Sequence, residues 1–273
     1  MTSEPLPAGL VLLKHMAHFN VDAATMVAAL PEAWRSLPRL TVDLETGESA
    51  RTACELDHWI EAERDLREQV RQHLEPVLEA NPGFRIVYYG SCPVPLTMAL
   101  GTMLKTWRAI CVVPHHHVHR AWGLFPRDKP PARVLPLQIP TERDRTPGEA
   151  IIRVSTSHKI DPIPMREIGA LVEIDVELAL PDEDAFGELD EMLAVSRAFR
   201  EALNAISDRY KGISRIHLFA SVQPGMALLL GAQISETMHP PIQTYQYKRN
   251  RKNGQLHSPA LLLNTQRPVA RTK

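Results

Sequence analysis

The chain has 273 residues, 44% of them hydrophobic and 23% charged, with a formal net charge of −1. That length can bury a large core as one double-lobed unit or two small domains, and near-neutrality excludes bulk electrostatic attraction to duplex nucleic acid or an anionic membrane. Met1-Thr2-Ser3-Glu4-Pro5 carries no basic run with a following apolar core, no stretch approaches spanning length, and the three cysteines (Cys54, Cys92, Cys111) lack metal-type spacing and leave one unpaired; together these predict a cytoplasmic protein.

In chain order, Val21–Leu30 reads as a short helix capped by Asp22 and stopped by Pro31, inside a 1–39 stretch that otherwise carries little signal. Leu40–Leu44 is a strand candidate. A long helix over 53–79 follows, its apolar stripe running Leu56, Trp59, Ile60, Leu66, Val70 and Leu74, and Asn81-Pro82-Gly83 ends it. A strand starting at Phe84, an apolar helix and a third strand at Arg108–Val113 complete a first half. Residues 120–165 hold eight of the 23 prolines, which limits them to short strands such as Arg133–Leu137 and Ala150–Ser155. A second half then replays the order: strand 171–180, helix 185–210, strand 215–220, helix 224–235 and strand 242–247. Asn253-Gly254 is a hairpin signal after it.

The replay is clearest where Arg85–Gly101 (RIVYYGSCPVPLTMALG) aligns without a gap to Arg215–Gly231 (RIHLFASVQPGMALLLG). Each copy is a strand, a small-residue turn with a serine, and an apolar helix, the unit that offers free backbone N–H groups to phosphate in open α/β folds. Neither turn carries the glycine pattern of a dinucleotide site or the lysine of an NTPase loop, so no nucleotide cofactor is expected. Ser91 and Ser221 read equally as helix caps or as a two-fold grip on a ligand. His115, His117 and His119 fall on one side of an extended segment, which would suit a metal, but no Cys or acid completes a motif and pocket lining is the preferred reading, with no metal expected. Lys248–Lys252 is a basic cluster able to neutralise phosphates or simply a solvated hairpin. Trp122, Tyr245 and Tyr247 can stack on bases or fill a core. No nucleophile–base pair or paired-carboxylate signature stands out, Asp43, Asp175 and Glu177 acquire no role, and no catalytic residue is assigned.

Ser214–Gly231 leading to Pro241–Tyr247, with its IHLF, Pro, LG and YxY elements, and Ala150–Ser157 ahead of the 171–180 strand, resemble the SAVED domain of bacterial anti-phage (CBASS) and type III CRISPR signalling. The resemblance implies an α/β fold of two fused CARF-like Rossmann-type halves related by internal duplication: a 1–39 extension, a first half over 40–119, a proline-rich connector over 120–165, a second half over 166–264 and a tail over 265–273. It implies a sensor or adaptor that binds a cyclic oligonucleotide (a cyclic tri- or tetranucleotide) and self-associates to activate an effector. That effector is expected on a separate polypeptide, since 1–39 is too short to hold one. Candidate ligand-binding residues, from the turns, strand ends and polar runs together, are Ser91, Cys92, Pro93, His116, Trp122, Ser155, Ser157, Lys159, Ser221, Val222, Gln223, Tyr247 and Arg249. A ring nuclease acting on the same ligand, and an α/β protein-interaction module without a small ligand, are the alternatives.

Overall fold

A computed structural model describes residues 6–17, 20–46, 56–104, 109–125, 130–247 and 257–265. The first half contains β1 (Gly9–Met16), α1 (Ala23–Ala28), β2 (Arg39–Glu45), α2 (Leu56–Gln69), a π-helical turn (Val70–Leu74), α3 (Glu75–Ala80), β3 (Phe84–Gly90), α4 (Val94–Leu104) and β4 (Ile110–Val112). A small hairpin, β5 (His115–His116) and β6 (Ala121–Trp122), leads away from it. The second half contains β7 (Gly148–Ser155), β8 (Val172–Glu177), α5 (Leu189–Arg209), β9 (Ile213–Ser221), α6 (Pro224–Gly231), β10 (Ile242–Tyr247) and β11 (His257–Leu263). The α2–α3 stretch is the expected long helix. Pro76 at the start of α3 lacks an N–H, and the helix widens into its π turn immediately before it.

The sheets repeat one order. The first runs β2-β1-β3-β4, all parallel, and the second runs β8-β7-β9-β10 with parallel pairing, then β11 antiparallel at its edge. Two boundaries expected from the sequence move as a result. The 1–39 stretch supplies β1, the strand between β2 and β3. The proline-rich connector supplies β7, the strand between β8 and β9. The Arg133–Leu137 strand reduces to one bridge, Val134 to Leu178, with Leu135 N–H donating to the Glu177 carbonyl at 2.8 Å. Pro136 lacks an N–H, so the segment lies along the edge of β8 without becoming a full strand. The Asn253-Gly254 turn and the tail beyond Thr265 lie outside the described residues, although β10 and β11 pair as that hairpin signal requires.

Period-2 alternation sorts the core into layers. On β1, Val11 and Leu13 join a large inner cluster, while Leu10 and Leu12 join a smaller outer one covered by Met26 and Leu30. On β3, Ile86 and Tyr88 face inward, and Val87 and Tyr89 outward. The inner cluster takes residues from both sheets and from α2, α4, α5 and α6, so helices shared by the two halves fill the space between the sheets. Among the described residues no helix is long and apolar enough to cross a membrane.

The repeat helices α4 and α6 meet at Gly101 and Gly231, which occupy equivalent places in the two copies. A Cβ on Gly101 would lie 2.3 Å from the Leu228 carbonyl oxygen, and one on Gly231 2.2 Å from the Met98 carbonyl oxygen. Met98 and Leu228 are also equivalent, so the approach is reciprocal. Because the obstacle is backbone, no rotamer change relieves it. Gly101→Ala and Gly231→Ala are each expected to cost about 1–3 kcal/mol or more in chemical denaturation. The double variant should cost less than the sum, since the first alanine already parts the helices; neutral or additive effects would contradict the contact.

His15, on β1, is fully buried, and burial pushes its pKa down from 6.5 to about 3. Above pH 6.5 the ring is neutral folded or unfolded. Between about 6.5 and 3 only the unfolded chain takes the proton, so this group's effect is to lower stability as pH falls through that window. Replacing His15 by Gln should flatten the stability curve between pH 7 and pH 5 by about 2 kcal/mol, measured as the difference between the two unfolding curves.

Candidate functional site

The two strand–turn–helix units open on one cavity of about 520 Å³. Gly90–Val94, the turn between β3 and α4, forms one wall. Ala220–Gly225, the turn between β9 and α6, forms the other. Pro114, His115 and His117 close one rim; Ser157–Asp161 and Glu183 close another, and Gln246, Tyr247 and His257 complete the lining at the end of the second sheet. The ends of parallel strands at helix N-termini are where open α/β folds bind ligands. Both helices therefore direct the positive ends of their dipoles toward the same space. A larger cleft of about 830 Å³ runs between β2 and α2, lined by Asp43, Glu45, Asp65 and Glu68 among others. It touches neither turn, and its acidic lining is wrong for an anion.

Ser91 and Ser221 are not helix caps. Ser91 Oγ accepts the Ala17 N–H at 3.2 Å, and Ser221 Oγ accepts the His158 N–H at 3.1 Å. Each hydroxyl thus holds the loop that follows the neighbouring central strand, β1 in one half and β7 in the other. The α6 cap position belongs to Gln223, whose side chain makes no capping bond there. Ser155 does a similar service, its Oγ accepting the Ile160 N–H at 3.2 Å and tightening the 156–160 loop.

The histidine loop is held from the opposite half. Asp184, 7% exposed, accepts the N–H of His117 at 2.8 Å and of Val118 at 2.9 Å, and its carboxylate lies 3.3 Å from His116 Nδ1. His116 Nδ1 also accepts the His119 N–H at 3.2 Å, which requires that nitrogen to be unprotonated. Burial lowers the pKa of His115 and His116, against the opposing pull of Asp184, and lowers that of His257 as well. Burial thus favours the neutral form of these three imidazoles, His115, His116 and His257. Lys159 is paired with Glu177 at 2.9 Å and His158 with Glu183 at 3.3 Å. The cavity surface is mainly apolar, with polar groups set into it and its lysine paired. Any anion placed there would meet backbone dipoles rather than free side-chain charge.

Of the sequence candidates, Ser91, Cys92, Pro93, Ser157, Lys159, Ser221, Val222, Gln223 and Tyr247 line this cavity. His116 does not: it is buried behind the wall against Asp184, and its neighbours His115 and His117 face the cavity instead. Trp122 is buried edge-to-face against Tyr89 and His115, at ring distances of 5.7 and 5.4 Å. Ser155 acts through the loop it holds. Arg249 and the basic cluster around it lie outside the described residues. Tyr245 stacks on Phe219 at 4.1 Å and bonds His217 at 2.7 Å, a packing role. The three alternate histidines do not converge either, for His119 turns onto His116 and Phe125 while His115 meets His117. Among the described residues no group of three or more metal-type ligands forms. Asp175 and Glu173 hold the buried guanidinium of Arg153 at 2.6 and 2.5 Å, which explains the acidic alternation of β8. Gln246, His257 and Asp184 carried no motif; each is brought to the site by long-range pairing alone.

A comparison with curated proteins finds no match. A sequence profile of the SAVED family, described as the "SMODS-associated and fused to various effectors sensor domain", matches residues 63–263. The chain belongs to the SAVED family. Among solved structures it is similar to the Acinetobacter baumannii Cap4 SAVED/CARF-domain containing receptor with the cyclic trinucleotide 2'3'3'-cAAA, at 14% identity and a TM-score of 0.57, over 92% of this chain and 51% of that one. The same receptor with 3'3'3'-cAAA gives 14% and 0.57, over 93% and 51%. The Moraxella osloensis Cap4 receptor gives 12% and 0.50, over 94% and 50%. This SAVED chain spans about half the length of those receptors, and at such identities the likeness shows the shared α/β fold of parallel sheets.

Removing the Asp184 carboxylate takes away the acceptor of two backbone N–H groups, on the exposed residues His117 and Val118, and leaves that stretch of loop free to turn to water. Asp184→Ala is expected to cost about 1–2 kcal/mol of stability and to expose the 115–119 loop to protease, with Asp184→Asn, which keeps one acceptor, costing less. Equal, small losses in denaturant titrations of both variants would show that the carboxylate does not hold the loop.

Proposed function

We propose that this SAVED protein is a sensor that takes a cyclic oligonucleotide second messenger, a cyclic tri- or tetranucleotide, into the cavity between its two halves. Binding drives self-association, and the assembly activates a separate effector in anti-phage defence. The observation that carries this reading is the opening of both strand–turn–helix units, one from each half, on a single cavity. Each turn can receive a phosphate on backbone N–H groups at a helix N-terminus, which suits a ligand whose phosphates recur around a ring. Burial favours the neutral form of His115 and His257, and Lys159 is paired with Glu177, which leaves recognition to directed dipoles rather than bulk charge. Tyr247, 51% exposed at the rim with the His257 ring 5.5 Å away, offers a face for a base. Ser157, Lys159, Val222 and the Ser91–Pro93 turn complete the contacts, with Arg249 adding charge. The Acinetobacter baumannii receptors of similar fold hold cyclic trinucleotides, which supports this ligand class.

Thermal unfolding with a panel of cyclic di-, tri- and tetranucleotides tests the reading. At a hundredfold excess over its dissociation constant a true ligand stabilises the fold by about 2.7 kcal/mol, and light scattering should show the particle mass rising with the same compound. Stabilisation by none of them would overturn the sensor. A constant mass would remove the assembly step, and recovery of cleaved ligand after long incubation would favour a ring nuclease instead.

A further inference from the structure

Among the described residues, Lys159 is the one lysine or arginine that lines the cavity. The fold holds it at the second turn. Thr156 and Ser157 N–H donate to the Ser221 carbonyl at 3.0 and 2.9 Å, and His158 N–H donates to Ser221 Oγ at 3.1 Å. The loop that carries Lys159 is thus fastened beside the start of α6. The side chain itself is 72% exposed and stands within a ligand's reach, yet its ammonium is already engaged. Glu177 takes it with both carboxylate oxygens, at 2.9 and 3.3 Å. Glu177 is the last residue of β8, paired with Ser155 of β7, and its side chain is only 17% exposed. It does not line the cavity.

The two partners differ in freedom. The carboxylate is placed by the sheet, whereas the ammonium ends a flexible four-carbon stem with three rotatable donors. It can change partner without any movement of the backbone. An ion pair with so exposed a lysine is weak and is broken at little cost. A phosphate entering the cavity therefore competes with Glu177 for one ammonium. The neighbouring acids give no relief, since Asp161 and Glu183 line the cavity too, with Glu183 3.3 Å from His158.

The repeat isolates the lysine as the added part. His15 pairs with Gly90 as Val154 pairs with Ala220, and Gly90 and Ala220 align in the gapless repeat, so Met16 is the counterpart of Ser155. Met16 pairs with Glu45 and Ser155 with Glu177, which makes Glu45 the counterpart of Glu177. Both halves carry a glutamate at this place. The first half's loop, Ala17-His18-Phe19-Asn20-Val21, has no lysine or arginine to offer it. A glutamate ending this strand therefore needs no lysine for the fold.

Resting on the sensor reading above, we propose that Glu177 sets the ligand affinity of the site from outside the cavity, by holding Lys159 against the pull of a ligand phosphate. Only the fraction of Lys159 released from the pair is competent to bind, and the apparent affinity falls by that fraction. The carboxylate is a brake that raises the messenger concentration needed to fill the site.

Calorimetric titration of the full chain with 3'3'-linked cyclic triadenylate and cyclic tetraadenylate tests this. Glu177→Gln, which keeps the shape and removes the charge, should tighten binding by about two- to fivefold. Glu177→Asp, which draws the carboxylate back by one methylene, should tighten it less, and carries the test if the first variant does not fold. Lys159→Met should weaken binding on the order of tenfold, and adding Glu177→Gln to it should change nothing more. Unchanged or weaker binding by the Glu177 variants would make the pair a loop strap and overturn the proposal, leaving the sensor standing. Tightening that persists in the Lys159→Met background would overturn it as well, because Glu177 would then act by plain repulsion. Failure of both rings to bind the unaltered chain, with the fold intact by circular dichroism, would remove the sensor reading and this inference with it.

Discussion

The whole arrangement depends on two helices that touch through their backbones. At Gly101 and Gly231 there is no room for a methyl group, so α4 and α6 cross at a separation that side chains would forbid. Each helix begins at one turn of the site, so fixing their crossing fixes the spacing of the two turns. The reciprocity matters: the same pair of residues, a glycine and the residue three before it, makes the contact from both sides. A crossing built that way leaves the two halves in matching positions, and a cavity with two equivalent walls follows from it. The cores of the two sheets merge around this contact instead of remaining separate, because α2, α4, α5 and α6 give their apolar faces to one inner cluster.

Placing the cavity at the strand ends decides its chemistry. Residues there leave the sheet and must satisfy their backbone groups locally, which is why so many polar side chains near the site bond to main chain. Ser91, Ser155, Ser221 and Asp184 each accept one or two N–H groups from a loop. Polar residues that look in the sequence like ligands to something are, in large part, ligands to the protein itself.

How far the fold was legible follows the strength of local signals. The amphipathic helices, α2 with α3 and α5, announce themselves by their 3.6-residue stripe, and the repeat strands by their match to each other. β1 was not legible, because Leu10–Leu13 is a short continuous apolar run that a buried helix turn would share. β7 reads as a strand within the proline-rich connector, and nothing in Ala150–Ser155 says that it inserts between β8 and β9. At the site, the turns were found from the repeat. Which of the adjacent histidines lines the cavity is not legible, because Asp184, distant in sequence, lies against the His116 ring behind the wall. Gln246 and His257 enter the cavity only because β10 and β11 pair across a turn, and a partner set by pairing leaves no trace in composition or spacing.

The site is therefore built from two materials of different stiffness. Its floor is the glycine crossing and the buried strand ends, held by close packing that one methyl group would disturb. Its rims, 115–119 and 156–161, are held by a few separate hydrogen bonds, to Asp184 in the first and to Ser155, Ser221 and nearby main chain in the second, each worth only about 1 kcal/mol net while intact. Local opening is set by the weakest contacts, so the rims open at far lower cost than the floor shifts. A fixed floor holds the two helix N-termini at a set distance, and the strapped rims are the part of the site that can yield. The repeated architecture provides the first property through its symmetry. The second comes largely from residues outside the repeat, Asp184 and Ser155, with Ser221 of the repeat joining them.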